Sequence, residues 1–317
     1  MRGASMITAG RAAGVARAAI AATFVAITCV PPYLISTSAE AKIARPAPRD
    51  EGRLFRIVKD GVPDSFVLGT IHAADPRTST LSEPISAALS QSRLLTVEMI
   101  PEARDEELQA FEYVEKGSPG LPSLMDPSAY ARLRTALVEQ GIAPEVVDRL
   151  KPWAAMMRIA RAHTKSPTLT PLDQLIYVEA RRRRLNIQPL EMLDEQVAAF
   201  DSIPLDSQVA LLLHALDHHA DLEATALQTI AAWLRGDLDA IARIAANDDG
   251  RFRSLRPHYA RLIEHVIEGR TALMHHRLIL PLRSGRVFVA IGAMHLHGKK
   301  GLLALLRADG YRIARVW

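Results

Sequence analysis

Residues 64–72 of this 317-residue chain, "DSFVLGTIH", predict the central feature of its fold, a buried strand that ends beside a histidine. The apolar run at 66–68 predicts a buried strand that ends at a glycine, and a histidine follows three residues after that glycine. Residues 286–295, "RVFVAIGAMH", repeat this order of apolar strand, glycine, two residues and histidine. Because parallel strands end at one edge of their sheet, the repeat predicts that His72 and His295 lie at the same edge.

The neighbouring sequence predicts how these strands enter a sheet. Residues 54–61, "LFRIVKDG", precede the strand at 64–70, and the Asp60-Gly61 pair between the two apolar runs indicates a β-hairpin. Residues 81–92 have the period of a helix, and residues 93–101, "RLLTVEMIP", predict a second buried strand. Strand, helix and strand within about thirty-five residues is the spacing of a βαβ unit, so a parallel sheet is expected.

The middle of the chain, from about residue 105 to 246, is mostly helical in its apolar period. One predicted strand at 187–193 interrupts it, after a helix over residues 173–184. The chain then closes with a helix and a strand over residues 299–317. These elements predict a single α/β domain over residues 53–317, in which the N- and C-terminal parts form a parallel-rich mixed sheet and the middle is a large helical insertion.

The N-terminal segment has the three parts of a secretory signal peptide. Three arginines precede the apolar residues 18–30, and the small-residue sequence "SAEA" follows as a cleavage site. We therefore expect residues 1–41 to be a signal peptide cleaved near Ala41, residues 42–52 to be a linker, and the protein to be periplasmic or secreted. The alternative is an uncleaved membrane anchor, although Pro31-Pro32 interrupts the run of about 20 apolar residues that a membrane span requires.

Charge and cysteine content exclude several functions. Removing residues 1–41 takes away three basic residues and one acidic residue, which lowers the net charge from +4 to +2. With no basic stripe and no interleaved aromatic residues, the sequence indicates no nucleic-acid partner. The single cysteine, Cys29, lies in the signal segment, so disulfides, cysteine-ligated zinc and cysteine nucleophiles are excluded from the mature chain. A catalytic metal would have to be bound by histidine, aspartate and glutamate.

The predicted site lies at the carboxyl ends of the strands. Gly69 and Gly292 permit a tight turn or a close backbone approach, after which His72 and His295 can point over the sheet edge. The strand "LLTVEM" delivers Glu98 near its own carboxyl end. Two histidines and a carboxylate at one edge predict a divalent metal site with open positions for water. Taken alone, each residue more often has a structural role, the histidines as hydrogen-bonding groups at strand ends and the glutamate as a cap or salt-bridge partner.

The paired motifs "GTIH" and "GAMHLHGKKGLLALLRADGYRIARV", with "VEM" between them, resemble the TraB/PrgY/GumN family, which includes the Tiki proteins. The resemblance extends through "LKPWAAM", "PLDQLI", "PLEMLDEQVAAF" and "AAWLRGDLDAI", covers residues 54–317, and is nearest to bacterial GumN-type members. Tiki members are described as metal-dependent proteases that use the two Gly-x-x-His histidines and a glutamate, which implies those roles for His72, His295 and Glu98. The family also tends to carry Arg-Asn before the last strand. This chain has Arg270-Thr271 there, so the resemblance implies an Arg270 that clamps a substrate carboxylate or oxyanion, without the usual amide beside it.

The sequence therefore predicts an exported, metal-dependent hydrolase of peptide or related acyl bonds. His72 and His295 would bind Mn²⁺, Co²⁺ or Zn²⁺, with Glu98 as a further ligand or as the general base. His297, two residues after His295, is the reserve ligand. The alternatives are a non-catalytic protein that sequesters a peptide or a haem-like ligand in the same cleft, and a purely structural histidine pair. The expected partner is a peptide or small acyl substrate, and a membrane only if the signal segment stays uncleaved.

Other residues are predicted to be structural. His214 and His218, at i and i+4, are predicted to lie on a solvated helix face. Trp153 is predicted to anchor the core at the start of a helix. Asp173 is predicted to cap or start its helix, with substrate binding as the alternative. Glu191 is expected in a turn between a strand and a helix.

Overall fold

The computed structural model describes residues 51–73, 75–100, 110–115, 117–161, 169–246 and 252–317. The predicted signal peptide, residues 1–41, lies outside the described residues, as does the predicted linker except for its last two residues. Glu51 forms a β-bridge with Asp237, and the amide of Gly52 donates to the carbonyl of Gly236, so the start of the described chain is held to the helical part. In the part of the chain that the structure describes, no helix is both long and apolar enough to cross a membrane.

A six-stranded sheet forms the centre of the molecule. Its strands are β1 (Leu54–Lys59), β2 (Val62–Thr70), β3 (Leu94–Val97), β4 (Asn186–Pro189), β5 (Val287–Gly292) and β6 (Arg312–Arg315). The strand order is β4-β3-β5-β2-β1-β6. β4, β3, β5 and β2 run parallel, and β1 pairs antiparallel with both β2 and β6. The predicted α/β fold with a parallel-rich mixed sheet is confirmed.

The two strands that carry the Gly-x-x-His sequences are direct neighbours. β5 lies between β2 and β3, so the crossover from β2 through helix α1 (Glu83–Ser90) to β3 passes one intervening strand. The parallel register pairs Gly69 with Ile291 and Thr70 with Gly292, which brings both motifs to the same height at the carboxyl edge. Both strands are almost fully buried at this end, as expected of parallel strands covered on both faces.

Helices cover the sheet and build the rest of the molecule. Those between β3 and β4 include α2 (Leu121–Leu124), α3 (Pro127–Glu139), α4 (Pro144–Val147), α5 (Pro152–Arg161) and α6 (Leu172–Arg182). Those between β4 and β5 include α7 (Leu193–Asp201), α8 (Leu205–Asp217), α9 (Leu222–Arg235), α10 (Leu238–Ala245), α11 (Arg256–Leu262), a π-helix (Ile263–Gly269) and α12 (Arg270–Ser284). α13 (Leu302–Ala308) lies between β5 and β6.

The helical part extends further along the chain than residue 246, the expected end of the insertion. α11, the π-helix and α12 continue it to the start of β5. Buried residues recur there at helical spacing: Tyr259, Leu262, Val266, Met274, Leu278 and Leu282. β4 ends at Pro189 rather than at residue 193, and the backbone N–H groups of Leu190 and Glu191 both donate to the carbonyl of Glu98. This pairing holds Glu191 alongside Glu98 at the end of the sheet.

Two hydrophobic cores hold these elements together. One surrounds the sheet and includes side chains of α6, α9, α10, α12 and α13. The other lies among the helices and includes side chains of α5, α7, α8 and α11. Trp153 belongs to this second core, where it is 1 % exposed and stacks on Phe200 with ring centroids 5.2 Å apart. Its predicted role as a core anchor is confirmed.

Candidate functional site

Glu98, His72 and His295 converge on Gly292 at the carboxyl edge of the sheet. The position that a Cβ atom of Gly292 would occupy lies 3.1 Å from Glu98 Oε1, 3.6 Å from His295 Cδ2 and 3.9 Å from His72 Nε2. Three residues from distant parts of the chain therefore share one site, as the sequence predicts. A side chain larger than that of glycine at position 292 would fill the space between them.

Glu98 is a buried carboxylate with several donors around it. It directly follows β3 and is 7 % exposed. Its Oε1 accepts a hydrogen bond from the backbone N–H of Gly292, and its Oε2 accepts one from Arg270 Nη2 at 2.8 Å. Burial acts to raise the pKa of Glu98, but the guanidinium, the two imidazoles and this N–H outweigh burial and lower that pKa to about 2. Glu98 is therefore an anion at neutral pH.

Arg270, the first residue of α12, joins Glu98 to a second carboxylate, Glu191. The guanidinium Nε and Nη2 donate to Glu191 at 2.9 and 2.6 Å, and Nη1 donates to the carbonyl of Val266 at 3.3 Å. The side chains of Arg270 and Glu191 are 7 % and 0 % exposed. Burial raises the pKa of Glu191, although the guanidinium opposes that rise. Arg270 lines the cleft, but its donors already serve two carboxylates and a carbonyl, so we expect it to position Glu98 rather than to clamp a substrate.

His295 ends a 3₁₀ turn, Ala293–His295, directly after β5. It is 3 % exposed, and its Nδ1 lies 2.8 Å from Thr271 Oγ1. Because the Thr271 hydroxyl donates to the carbonyl of Ile267 at 2.6 Å, its oxygen accepts from His295, which places the proton of the neutral ring on Nδ1. Burial lowers the pKa of His295 to about 4, although Glu98 opposes this. His295 thus stays neutral at physiological pH, with an unprotonated Nε2 located 4.0 Å from Glu98 Oε1.

His72 follows β2 and has a charged partner. Its Nδ1 lies 3.2 Å from Oδ2 of Asp173 on α6, while its Nε2 faces Gly292. Burial acts to lower the pKa of His72, but Asp173 and then Glu98 outweigh burial, so the pKa is raised. Asp173 was predicted to cap or start its helix, and the predicted cap is wrong. The N-cap residue is Pro171, and Asp173 lies in the first turn, where its side chain turns to the imidazole.

A largely apolar cleft contains these residues. The helices supply its walls through Phe200 from α7, Trp233 from α9, and Ile241 from α10. The indole Nε1 of Trp233 donates to the carbonyl of Gly69 at 2.8 Å, which attaches α9 to the end of β2. The cleft therefore has a charged, hydrogen-bonded end at the sheet and nonpolar walls from the helices.

Two other sets of predicted residues lie elsewhere. His297, the predicted reserve ligand, pairs with Asp239 at 3.2 Å and does not line the cleft. His214 is 5 % exposed, and its ring packs edge-on against Phe252 with centroids 4.6 Å apart. The prediction that His214 faces solvent is therefore wrong, because α8 turns that face into the helical core rather than outward.

A model of the TraB/PrgY/gumN family matches residues 54–315, from β1 to the end of β6. The match includes both Gly-x-x-His sequences, Glu98 and the helices between them. The chain belongs to the TraB/PrgY/gumN family. The predicted resemblance is thereby confirmed. A search of curated proteins and a search of solved structures gave no match.

The side chains of this TraB/PrgY/gumN site provide a donor set that suits a divalent cation. Each histidine turns Nε2 toward the site and holds its Nδ1 on another group, Asp173 or Thr271, which is typical of metal-binding histidines. Nε2 of His295 and Oε1 of Glu98 are 4.0 Å apart, within the span of two bonds of about 2 Å to one ion. Among the described residues, no three His, Cys, Asp or Glu side chains already stand in metal-binding geometry. The donor set fits, and binding would require these side chains to move closer together.

Three residues of the site carry roles that were not predicted for them. Glu191 lies in the expected turn between β4 and α7 and also binds Arg270, and Asp173 contacts His72 rather than capping its helix. Thr271, where the resemblance implied an asparagine, contacts Nδ1 of His295 through its hydroxyl. One sequence signal was present: Glu191 follows β4 closely, much as Glu98 follows β3, and these two strands are parallel neighbours.

Proposed function

We propose that this protein is an exported, divalent-metal-dependent hydrolase of peptide or related acyl bonds. The cation would be Mn²⁺, Co²⁺ or Zn²⁺, held by His72 and His295 with Glu98 as the third ligand. The observation that carries the proposal is their common position at Gly292, where Glu98 Oε1 and His72 Nε2 come within 3.1 and 3.9 Å of one point. Membership of the TraB/PrgY/gumN family supports the assignment.

The hydrogen bonds behind the two imidazoles support ligand roles. A metal-binding imidazole must be unprotonated on the nitrogen that binds. Thr271 keeps the proton of His295 on Nδ1, and burial lowers the pKa of that ring to about 4, so its Nε2 is available across the physiological range. Asp173 orients His72 in the same way but helps to raise its pKa, so His72 becomes available only as the pH rises above that raised value.

The low pKa of Glu98 favours a role as ligand over a role as general base. A general base works best when its pKa lies near the working pH. A carboxylate whose pKa is lowered to about 2 accepts a proton poorly, but it remains an anion that can neutralise a cation. A bound divalent cation would supply Lewis acidity to a water molecule and to a substrate carbonyl. Arg270 would hold Glu98 in place, since Nη2 contacts this carboxylate at 2.8 Å from within the protein.

We also propose that residues 1–41 direct export. The arginines, the apolar residues 18–30 and the sequence "SAEA" support this assignment. The mature protein recovered from the periplasm or medium should begin near residue 42, and N-terminal sequencing measures that. A mature chain that retains residues 18–30 would indicate an anchor instead.

A binding protein without catalysis is the second candidate. Glu98 accepts hydrogen bonds from Arg270 and from the N–H of Gly292, so its charge is balanced without an ion. The nonpolar cleft would then sequester a peptide or a haem-like ligand, with the histidines as contacts.

Metal content and turnover of the purified full chain test the proposal. After dialysis against Mn²⁺, Co²⁺ or Zn²⁺, elemental analysis should find about one equivalent of metal. His72→Ala and His295→Ala should abolish uptake, and Glu98→Gln should weaken uptake and abolish peptide hydrolysis. His297→Ala is the matched control: it removes a nearby histidine that pairs with Asp239 outside the cleft, so it should bind metal like the parent.

The outcomes separate the two candidate functions. If His72→Ala, His295→Ala and Glu98→Gln all bind metal as the parent does, the metal site is wrong. Tight peptide or haem binding by the parent without turnover would favour sequestration. Thermal unfolding of each variant confirms that lost binding does not reflect a lost fold.

A further inference from the structure

Gln196 is a fully buried polar residue that lines the cleft. It lies in the first turns of α7 and is 0 % exposed. Its Oε1 has no hydrogen-bond partner, and among the described residues that line the cleft no other side chain has a buried polar atom without one. Its Nε2 is directed at Glu191: burial raises the pKa of that carboxyl, and a hydrogen bond from the Gln196 amide opposes the rise.

An unpartnered buried amide oxygen requires an explanation. Buried polar groups are nearly always hydrogen-bonded, because desolvation without a partner destabilises the folded state. Methionine or leucine would fill a similar volume at this position without that cost. The amide oxygen offers an acceptor at the wall of the cleft. This acceptor points to a ligand that supplies a donor in return.

The surroundings of Gln196 restrict the chemistry of that ligand. Phe200 follows one turn later on α7, and Trp233 also lines the cleft from α9. Among the described residues that line the cleft, Arg270 is the permanent cation, and its guanidinium already serves two carboxylates. An anionic ligand group at this wall would therefore lack a free counter-charge, and a cationic one would meet carboxylates that are already paired with Arg270. A neutral amide flanked by bulky nonpolar groups matches the wall.

We propose that Gln196 determines specificity by pairing with a secondary amide of the substrate. Its Oε1 would accept from the substrate N–H, while its Nε2 stays directed at Glu191. The nonpolar wall formed by Phe200 and Trp233 takes the bulky side chain next to that amide. This inference rests on the proposed function of the cleft as a substrate site, and it assigns Gln196 a role in recognition rather than in bond cleavage.

Binding of ester-substituted peptides tests this pairing without requiring turnover. The probes are N-acetyl-Phe-Leu-Phe-amide and analogues in which one backbone N–H at a time is replaced by an ester oxygen. Each is titrated calorimetrically into the metal-free full chain. We expect one replacement to weaken binding to the parent about tenfold, the order expected of one buried hydrogen bond. Gln196→Met should bind the unmodified peptide about tenfold more weakly and become insensitive to that replacement.

Two further variants control the measurement. Gln140→Met changes an exposed glutamine at the end of α3 and should behave like the parent. Gln196→Asn withdraws the amide by one methylene and should behave like Gln196→Met, so the test survives if one variant fails to fold.

The possible results distinguish this inference from the hydrolase proposal. Equal affinity of the parent for the peptide and all its ester analogues, unchanged binding by both Gln196 variants, or no binding at all would overturn the inference. Metal-dependent hydrolysis under any of those results would leave the hydrolase proposal standing. Amide discrimination lost in Gln196→Met, without metal uptake or turnover by the parent, would support the role of Gln196 and overturn the hydrolase instead.

Discussion

The two Gly-x-x-His sequences end neighbouring strands but give their histidines different surroundings. His72 has a carboxylate partner, and although burial opposes protonation, Asp173 and the nearby glutamate raise the pKa of the ring. His295 has a hydroxyl partner in Thr271, and burial lowers its pKa to about 4. One imidazole is therefore easily protonated, and its neighbour is neutral throughout the physiological range.

The repeated motif determines where each imidazole lies, whereas residues outside the motif determine its charge. Each strand end fixes where an imidazole lies. α6 supplies the carboxylate of Asp173, and α12 supplies the hydroxyl of Thr271. If both rings bind a cation, protonation near neutral pH should therefore block only His72, at the end of β2.

The largest effect is expected when the Arg270 guanidinium, which lies near both histidines, is removed. Burial and the positive charge of Arg270 both act to lower the pKa of each histidine, and Arg270 also joins Glu98 to Glu191. Arg270→Met should destabilise the fold by about 3–5 kcal/mol, because it leaves two buried carboxylates without a counter-charge. It should also raise the pKa of both histidines. Urea unfolding at neutral pH measures the first effect, and NMR titration measures the second.

Arg277→Met is the matched control for this loss of a cation. Arg277 pairs with Glu195 through side chains that are 34 % and 31 % exposed, so its removal should cost less than about 1 kcal/mol. Equal losses from the two variants would mean that Arg270 does not neutralise buried charge. The stability of the two buried carboxylates would then have to come from other groups than Arg270.

The next effect concerns the two motif glycines, which have different neighbours. A Cβ atom at Gly69 would lie 2.8 Å from Leu296 Cδ1 and 3.1 Å from the Cα atom of Ala293. A Cβ atom at Gly292 would lie 3.1 Å from Glu98 Oε1 and would occupy the space between the glutamate and the two histidines. Gly69→Ala should therefore destabilise the fold by about 1–3 kcal/mol through overpacking. Gly292→Ala should cost less stability but reduce metal affinity and hydrolysis.

Urea unfolding and calorimetric metal titration on the same samples separate these two effects. Gly269→Ala is the control, since a Cβ atom there would come no closer than 3.4 Å to the carbonyl of Glu264. It should change neither quantity appreciably. An outcome in which Gly292→Ala unfolds as easily as Gly69→Ala and keeps full metal affinity would make both glycines packing residues.

Local patterns predict most elements of this fold but not their arrangement. The Asp60-Gly61 turn and the apolar runs predict the hairpin and the buried strands, because these depend on neighbouring residues. The placement of β5 between β2 and β3 depends on pairing between distant segments, which local periodicity does not encode. The extension of the helices to Ser284 was also missed, although the buried residues of α12 recur at helical spacing.

The same contrast, between local sequence pattern and tertiary packing, separates the predicted from the unpredicted residues of the candidate site. His72, Glu98 and His295 could be predicted because each directly follows or closely follows an apolar strand, a position that the pattern specifies. Asp173 and Glu191 reach the site through tertiary packing. An aspartate at a helix start is usually a cap, and a glutamate after a strand is usually solvated, so neither residue type indicated a buried partner.

The smallest effect we predict separates the two histidines by their titration. Asp173→Asn removes a carboxylate that opposes burial of His72, so the pKa of that ring should fall. Thr271→Val should leave the pKa of His295 low, because burial is its main cause. The histidine Cε1–H shifts of the metal-free chain measure both values by NMR.

The two histidines should also make opposite contributions to the pH dependence of the free energy of unfolding. A histidine whose folded-state pKa is raised stabilises the fold below its ordinary pKa of 6.5, and this contribution disappears as the pH rises through the folded value. Asp173→Asn should therefore lower the free energy of unfolding more at about pH 5–6 than at about pH 9. His295 acts in the opposite direction: its folded pKa of about 4 means that the unfolded chain takes up a proton first, so stability falls as the pH decreases from 6.5 toward 4. That decrease should persist in Thr271→Val. If this decrease disappears, the Thr271 hydroxyl rather than burial determines the charge of His295. The pKa of each histidine would then be determined by the group that contacts its Nδ1.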